Sequence, residues 1–512
     1  MSMGMKLRKT TVYSAALLFL CHGSVHAQKA EKPPWYVAAG AIHRVTLKPS
    51  TKYWRFEHLS LDPVMAKRQM LQWKSEGITA LEVFAPEEGG NSYDGLDTKD
   101  RFQLDPGLGS VTDFRRLVAL AHSLGMRVIT FQNLGYSSVD GTQFERAEDA
   151  VRRGETTPET RMFFWSKSKS SVKPASSNSY FFCQPDLPNY DPGKSEFWQW
   201  SDRAGTWYWT RWRGKDAEGA TNHLPQYNWS GTAWPEEATH VVRFWMNTGL
   251  DGMVLDAVNW YPGATWEKVH QHITGVIAGY GGKLSQPEGG GGFHDDPVGW
   301  VKEGGFTNIY DYGLGIWWNK TARPLMTSVE DGQPEMLEDA LQKYHDRVVA
   351  AGGTLYFPVP KMENAEDQKF VEALVATSGD MPCYCDPVGG VTAPADGISA
   401  LLKLKPGHPA LFQNSQRRRI PTSNSLIYAT ERYAADDSER LLVVFNFSRE
   451  PMNATVDVGD IRGKRFIDLL SEHPADVADQ KLTLSLAGHG YEIFAIRGYQ
   501  LRQDTATKRQ GR

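Results

Sequence analysis

Cysteine is scarce, four in 512 residues. That excludes a disulfide-stapled scaffold, and no Cys/His spacing of the zinc type is present. An excess of one charge is also missing: 56 Lys and Arg stand against 60 Asp and Glu. The electrostatic footprint of a nucleic-acid binder is therefore absent. Long apolar runs are lacking beyond the extreme N-terminus, which excludes a multispanning helical membrane protein. With 40% hydrophobic and 23% charged residues, wholesale disorder and fibrous repeats are excluded too. What stands out is the aromatic content, 12% with 17 Trp. Most of these rings must fill a core. A surplus of Trp also suits stacking on the C–H faces of sugar rings.

The N-terminus reads as an address. Lys6, Arg8 and Lys9 precede a short apolar run over 13–21, and Val25-His26-Ala27 is a small-x-small cleavage site. The expectation is a signal peptide over 1–27, a mature chain from Gln28, and a periplasmic or secreted protein. Acylation of Cys21 is the rival reading, and Leu20 before it argues against that. Cys183, Cys383 and Cys385 would remain; three is odd, so at least one thiol is free or pairs between chains. A polar tail occupies 501–512.

Short apolar runs alternate with amphipathic stretches along the body. Strands are predicted at 53–56, 80–84, 127–132, 252–255, 283–286, 307–310, 354–358 and 381–385. Helical patterns lie between them, such as the stripe Phe114, Leu117, Val118 and Ala121. Eight strands alternating with helices is the count of a (β/α)8 barrel, and a doubly wound sheet is the alternative. The barrel is expected over 28–411, with a long excursion at 137–235 after the third strand. Loops of that length shape active sites. From about Ser425 short strands follow one another without helices, which predicts an antiparallel β-sandwich over 420–500.

Several ordered blocks then resemble one family. They are Gly95-Leu96-Asp97 through Asn133, the segment Gln184-Pro185-Asp186-Leu187-Pro188-Asn189-Tyr190, the block Phe244-Trp245 to Val258 around Asp256, and His408-Pro409-Ala410-Leu411. Together they resemble the α-amylase family, glycoside hydrolase family 13. The resemblance implies a TIM barrel with an insertion after strand three and a C-terminal β-sandwich. It implies a retaining glycosidase or transglycosylase, with the nucleophile at Asp256 and the acid/base at Glu288. The third family carboxylate falls at Glu366 by register, with Glu363 and Asp367 flanking it. Substrate contacts are implied at Asp97, Asn133, Trp260, Tyr310 and Asn364. No cofactor or metal is required; calcium is left open through Asn133 and Asp186. The partner is a carbohydrate, with neither nucleic acid nor membrane.

The departures from the family pattern are equally specific. Val254 stands where the family has an Arg two residues before the nucleophile, Leu96 replaces a Tyr, Leu134 and Ala365 replace His, and Trp260 replaces another His. An unusual α-linked substrate follows, rather than ordinary starch, with Trp260, Tyr261, Tyr310, Tyr312, Trp317 and Trp318 as candidate stacking surfaces. A catalytically inactive glycan-binding or interaction protein is the alternative, and different carboxylate chemistry in the same barrel is a third reading. Sugar identity, linkage, exo or endo action and oligomeric state are not legible in the sequence.

Overall fold

The computed structural model describes residues 32–48, 56–90, 95–167, 198–215, 221–288, 296–315, 323–385, 390–461 and 465–497. The segments expected to be a signal peptide and a polar tail, 1–27 and 501–512, lie outside these residues, as do Cys183, Asp186, Trp317 and Trp318. The chain from Pro34 onward forms one compact unit.

Eight parallel barrel strands make the central sheet, with the short Glu57–His58 paired to the first of them. They are β1 (Ala41–Thr46), β2 (Ile78–Phe84), β3 (Arg127–Asn133), β4 (Gly252–Asp256), β5 (Leu284–Pro287), β6 (Asn308–Tyr310), β7 (Thr354–Pro358) and β8 (Asp380–Tyr384). Neighbours run β5-β4-β3-β2-β1-β8-β7-β6, and β5 meets β6 where the Thr307 amide donates to the Ser285 carbonyl at 3.2 Å. The result is a (β/α)8 barrel. The first barrel strand is Ala41–Thr46; of the expected run 53–56, residues 53–55 lie outside the described residues. Every residue of that strand is buried, so His43 and Arg44 interrupt an otherwise apolar run and hide it from a hydropathy reading.

The helices between strands have ordinary causes. Helix α1 (Pro63–Ser75) starts on Asp62, whose carboxylate accepts the Val64 and Met65 amides, with Pro63 in the first turn. Helix α2 (Val111–Ser123) begins with a capping box between Ser110 and Asp113 and buries Phe114, Leu117, Val118 and Ala121 against the strands.

Between β3 and β4 the chain builds a small antiparallel sheet from Trp165–Ser166, Trp198–Ser201, Thr206–Lys215 and Thr221–Pro225. Beyond the barrel, five strands from Gln416 to Arg497 form a second antiparallel sheet, and Met452–Asp457, Val477–Ala478 and Lys481–Leu486 form a third. Strand alternation divides their side chains. Ile427, Ala429, Leu442 and Val444 meet Val456, Leu482 and Leu484 in a sandwich core. Tyr428, Leu441, Val443 and Phe445 turn the other way and join the barrel's core.

Candidate active site

Active sites of (β/α)8 barrels lie at the C-terminal ends of the strands. Asp256 is the last residue of β4, and Glu288 follows the last residue of β5. Two backbone features bring them together. Gly252 lets β5 approach closely, because a Cβ there would strike the Leu284 carbonyl. The Glu288 amide then donates to Leu255 O at 2.8 Å, continuing the ladder past the strand. The two carboxyls are in hydrogen-bond contact. Directly after Asp256, Ala257 adopts a left-handed φ of 43°, a strain of about 1–3 kcal/mol that turns the chain into Val258–Trp260.

Asp256 is buried, and the Tyr136 hydroxyl donates to its Oδ2 at 3.1 Å. Burial first, and Glu288 second, push the Asp256 carboxyl well above the ordinary carboxylate range; Tyr136 and, through space, Arg44 pull it back. The substrate-free site therefore favours the neutral form of the Asp256 carboxyl.

Arg44 rises from β1 inside the barrel. Its Nε donates to Glu82 Oε1 at 2.7 Å and its Nη2 to the Tyr356 hydroxyl at 3.1 Å, and that hydroxyl donates to Glu82 Oε2 at 2.8 Å. The guanidinium lies over the Phe131 ring, 4.7 Å from its centre. Phe131 is in register with Val254 across β3 and β4. A cation thus reaches this layer from β1 rather than from the position of Val254.

A second arginine shapes the wall of the site. Arg101 donates from Nη2 to Tyr136 O at 2.6 Å and from Nη1 to Asn133 O. Its guanidinium also faces Tyr227 and Trp234, which stack with ring centres 3.3 Å apart. The segment carrying Tyr136 is fixed from both sides.

The barrel from β2 through β4 matches known proteins in sequence. The family model "Alpha amylase, catalytic domain" matches residues 77–276, and "Maltogenic Amylase, C-terminal domain" matches 418–493. Over these two stretches the chain is similar to the α-amylase family. Trehalose synthase/amylase TreS of Mycobacterium tuberculosis is 29% identical over 166 residues, 32% of this chain and 24% of that protein. An alpha-glucosidase of Schizosaccharomyces pombe is 26% identical over 171 residues, 32% of this chain and 25% of that one. The chain thus aligns with about a quarter of the length of these relatives. In structure, an alpha-amylase from H. orenii superposes with a TM-score of 0.64 at 14% identity, covering 89% of this chain and 99% of that one. The Nostoc punctiforme debranching enzyme gives 0.62 at 15% identity, covering 91% and 99%. These structural matches carry the fold.

The α-amylase-like scaffold treats the other expected site residues unevenly. Asp97 is buried beside the site, where Ser138 Oγ donates to its Oδ2 at 3.1 Å. Tyr310 ends β6 buried against Tyr312 and Phe357, and its hydroxyl has no hydrogen-bond partner. Trp260 is half-buried four residues after Asp256. Asn133 reaches the site but has no bond to spare. Its amide donates to Leu96 O and Tyr136 O, and its Oδ1 accepts the Gly135 and Tyr136 amides. It positions Tyr136 instead of touching a sugar, and it offers calcium no free oxygen. Among the described residues no group of three or more His, Cys, Asp or Glu is arranged to hold a metal.

Glu366 and Asn364 are not brought to the pair. Glu366 is exposed in the first turn of helix α3 (Ala365–Ser378), and Asn364 is that helix's N-cap, accepting the Asp367 amide at 2.8 Å. Asp367 is buried, but its carboxylate is held by Arg449 at 2.8 Å and His489 at 2.6 Å, both from the C-terminal sheets. Glu363 is exposed. The register that selected Glu366 tracked a helix start, where acidic residues are favoured by the positive end of the helix.

Tyr136 and Arg44 escaped the sequence reading. Arg44 lay outside the expected first strand. Tyr136, three residues beyond Asn133, carried only one signal, an aromatic hydroxyl just past a strand end.

Proposed function

We propose that this protein is a retaining glycosidase or transglycosylase acting on α-linked sugars, and that it is exported to the periplasm or the medium. The observation that carries the chemistry is the meeting of Asp256 and Glu288 at adjacent strand ends. A sugar entering between them parts the carboxyls towards the roughly 5–5.5 Å that retaining chemistry uses. In the reacting complex Glu288 carries the proton, and the Tyr136 hydroxyl and the field of Arg44 stabilise the Asp256 carboxylate. Asp256 attacks the anomeric carbon as the glycosidic oxygen leaves with the proton of Glu288. Glu288, now a carboxylate, takes a proton from water or an acceptor hydroxyl, whose oxygen attacks the same carbon and frees Asp256. Two inversions leave the anomeric configuration unchanged.

The names of the relatives support α-linked substrates, since they include trehalose synthases and alpha-glucosidases. The test is product analysis by anomeric NMR on a panel of α-linked disaccharides and oligosaccharides, with mass spectrometry of the trapped intermediate. Retained anomers and a glycosyl adduct on Asp256 are expected. Inverted products, or an Asp256→Asn enzyme at full rate, overturn the reading. Export is tested by N-terminal sequencing of the mature protein, which should begin at Gln28.

One observation favours the second reading, an inactive glycan binder: the exposed Glu366 supplies no third carboxylate at β7. Glycan binding without turnover in the same panel would select it.

A further inference from the structure

We propose that the inserted sheet carries an aromatic platform, Trp200 with Trp207, that binds distal rings of an extended α-linked chain whose reacting unit lies at Asp256. The proposal rests on the glycosidase reading and adds the substrate class: an oligosaccharide long enough to leave the barrel mouth, rather than a disaccharide alone.

The strands set the pattern. Trp198 pairs across from Trp209, and Trp200 from Trp207. Directly opposite residues and residues two apart share a face, so all four indoles lie on one side of the sheet. The inner pair is buried with Phe164, and Trp207 and Trp260 pack against that cluster. Trp260 comes four residues after Asp256, so the aromatic stripe begins at the candidate active site and runs outward along the sheet.

Its outer end is open. Trp200 is 47% exposed, while Trp198 and Trp209 are each 1% exposed. Trp200 is also held in place: its indole N–H donates to Asp202 Oδ1 at 2.9 Å. Trp207 meets it edge-on, with ring centres 5.5 Å apart and planes at 70°. Two fixed rings at that angle give one flat surface for the C–H face of a pyranose and one edge to limit its sliding. Exposed Asp202 flanks the rings, and a carboxylate suits sugar hydroxyls. A polar rim around a small apolar seat fits a sugar better than a protein partner, which would need a wider apolar patch.

The experiment compares the full chain with Trp200→Ala and Trp200→Phe, using an α-linked disaccharide and a heptasaccharide. Affinity for the heptasaccharide should fall about tenfold in Trp200→Ala and be largely restored in Trp200→Phe. The kcat/KM on the disaccharide should not change. Equal heptasaccharide binding by the wild type and Trp200→Ala overturns the platform while leaving the glycosidase reading intact. So does a wild type that turns over the disaccharide but binds the heptasaccharide no better. A wild type inert towards every α-linked sugar overturns the glycosidase reading, and the platform with it.

Discussion

The mouth at β4 and β5 and the mouth at β7 carry similar sequence, acidic residues just past a buried strand, yet they make opposite use of it. At β4 and β5 two carboxyls face each other with a hydroxyl and, among the described residues, no direct cation, so burial pushes the Asp256 carboxyl well above the ordinary carboxylate range. At β7 the buried carboxylate of Asp367 is claimed by Arg449, His489 and the Asn364 amide, which hold it below the ordinary carboxylate range despite its burial. The difference teaches that a strand-end acid becomes reactive or structural according to what the next layer places over it. Here residues between the C-terminal strands hold the start of the helix after β7, whereas the inserted sheet borders the end of β4 through Trp260.

The largest effect that could break this comparison is on turnover. Asp256→Asn should lower kcat by about 10^4- to 10^6-fold. Glu288→Gln should cost about 10²- to 10⁴-fold on natural substrates and less on those with good leaving groups. Steady-state rates with aryl glycosides of graded leaving ability check both. Equal losses at every leaving group would remove the acid role from Glu288.

A third carboxyl sharpens the contrast. Glu87 lies buried beyond β2 with no hydrogen bond from another residue to its carboxyl, and burial raises it from 4.5 to about 7. Below pH 4.5 both folded and unfolded chains hold the proton. Between 4.5 and about 7 only the folded chain does, so this contribution to stability is lost as pH rises through that window. At 1.36 kcal/mol per pH unit the loss is roughly 3 kcal/mol. Urea denaturation of Glu87→Gln should lack that fall; an unchanged pH profile would contradict the assignment.

Asp367→Asn should cost roughly 1–3 kcal/mol of stability at neutral pH and leave kcat per folded molecule unchanged. Because its pKa is lowered, the wild-type advantage is present above the ordinary value of 3.8 and disappears as pH falls through the folded value. Glu366→Gln, on an exposed first turn, should change stability by less than about 0.5 kcal/mol. A large loss of kcat in Glu366→Gln would restore it to the site.

A last effect tests how the pair is tuned. Tyr136→Phe removes a hydrogen bond that favours the Asp256 carboxylate, so the acid limb of kcat/KM should move to higher pH by about half to one unit. An unmoved limb would mean that Tyr136 acts only in packing.

Much of this was legible beforehand because it is local. Alternating apolar runs and helix caps specify strands and helices over short distances, so seven of the eight barrel strands are close to where the sequence predicts them. Asp256 and Glu288 were legible because each sits at the end of a buried strand, where barrel geometry leaves few places to point. The strand carrying Arg44 was missed because buried charge is invisible to hydropathy: its partners Glu82 and Tyr356 lie 38 and 312 residues away.

By itself, then, the sequence determined the alternation of elements, the barrel they close into and the two carboxylates at its mouth. Tertiary structure alone decided which acids keep their protons, that Asn133 spends every bond on backbone, that Arg44 supplies the cation absent at Val254, and that Trp200 is left facing water while Trp198 is buried. The physical reason is the range of the forces. Propensity and periodicity act within a few residues, whereas burial, charge and hydrogen-bond partnership are set by groups that only the closed fold brings together.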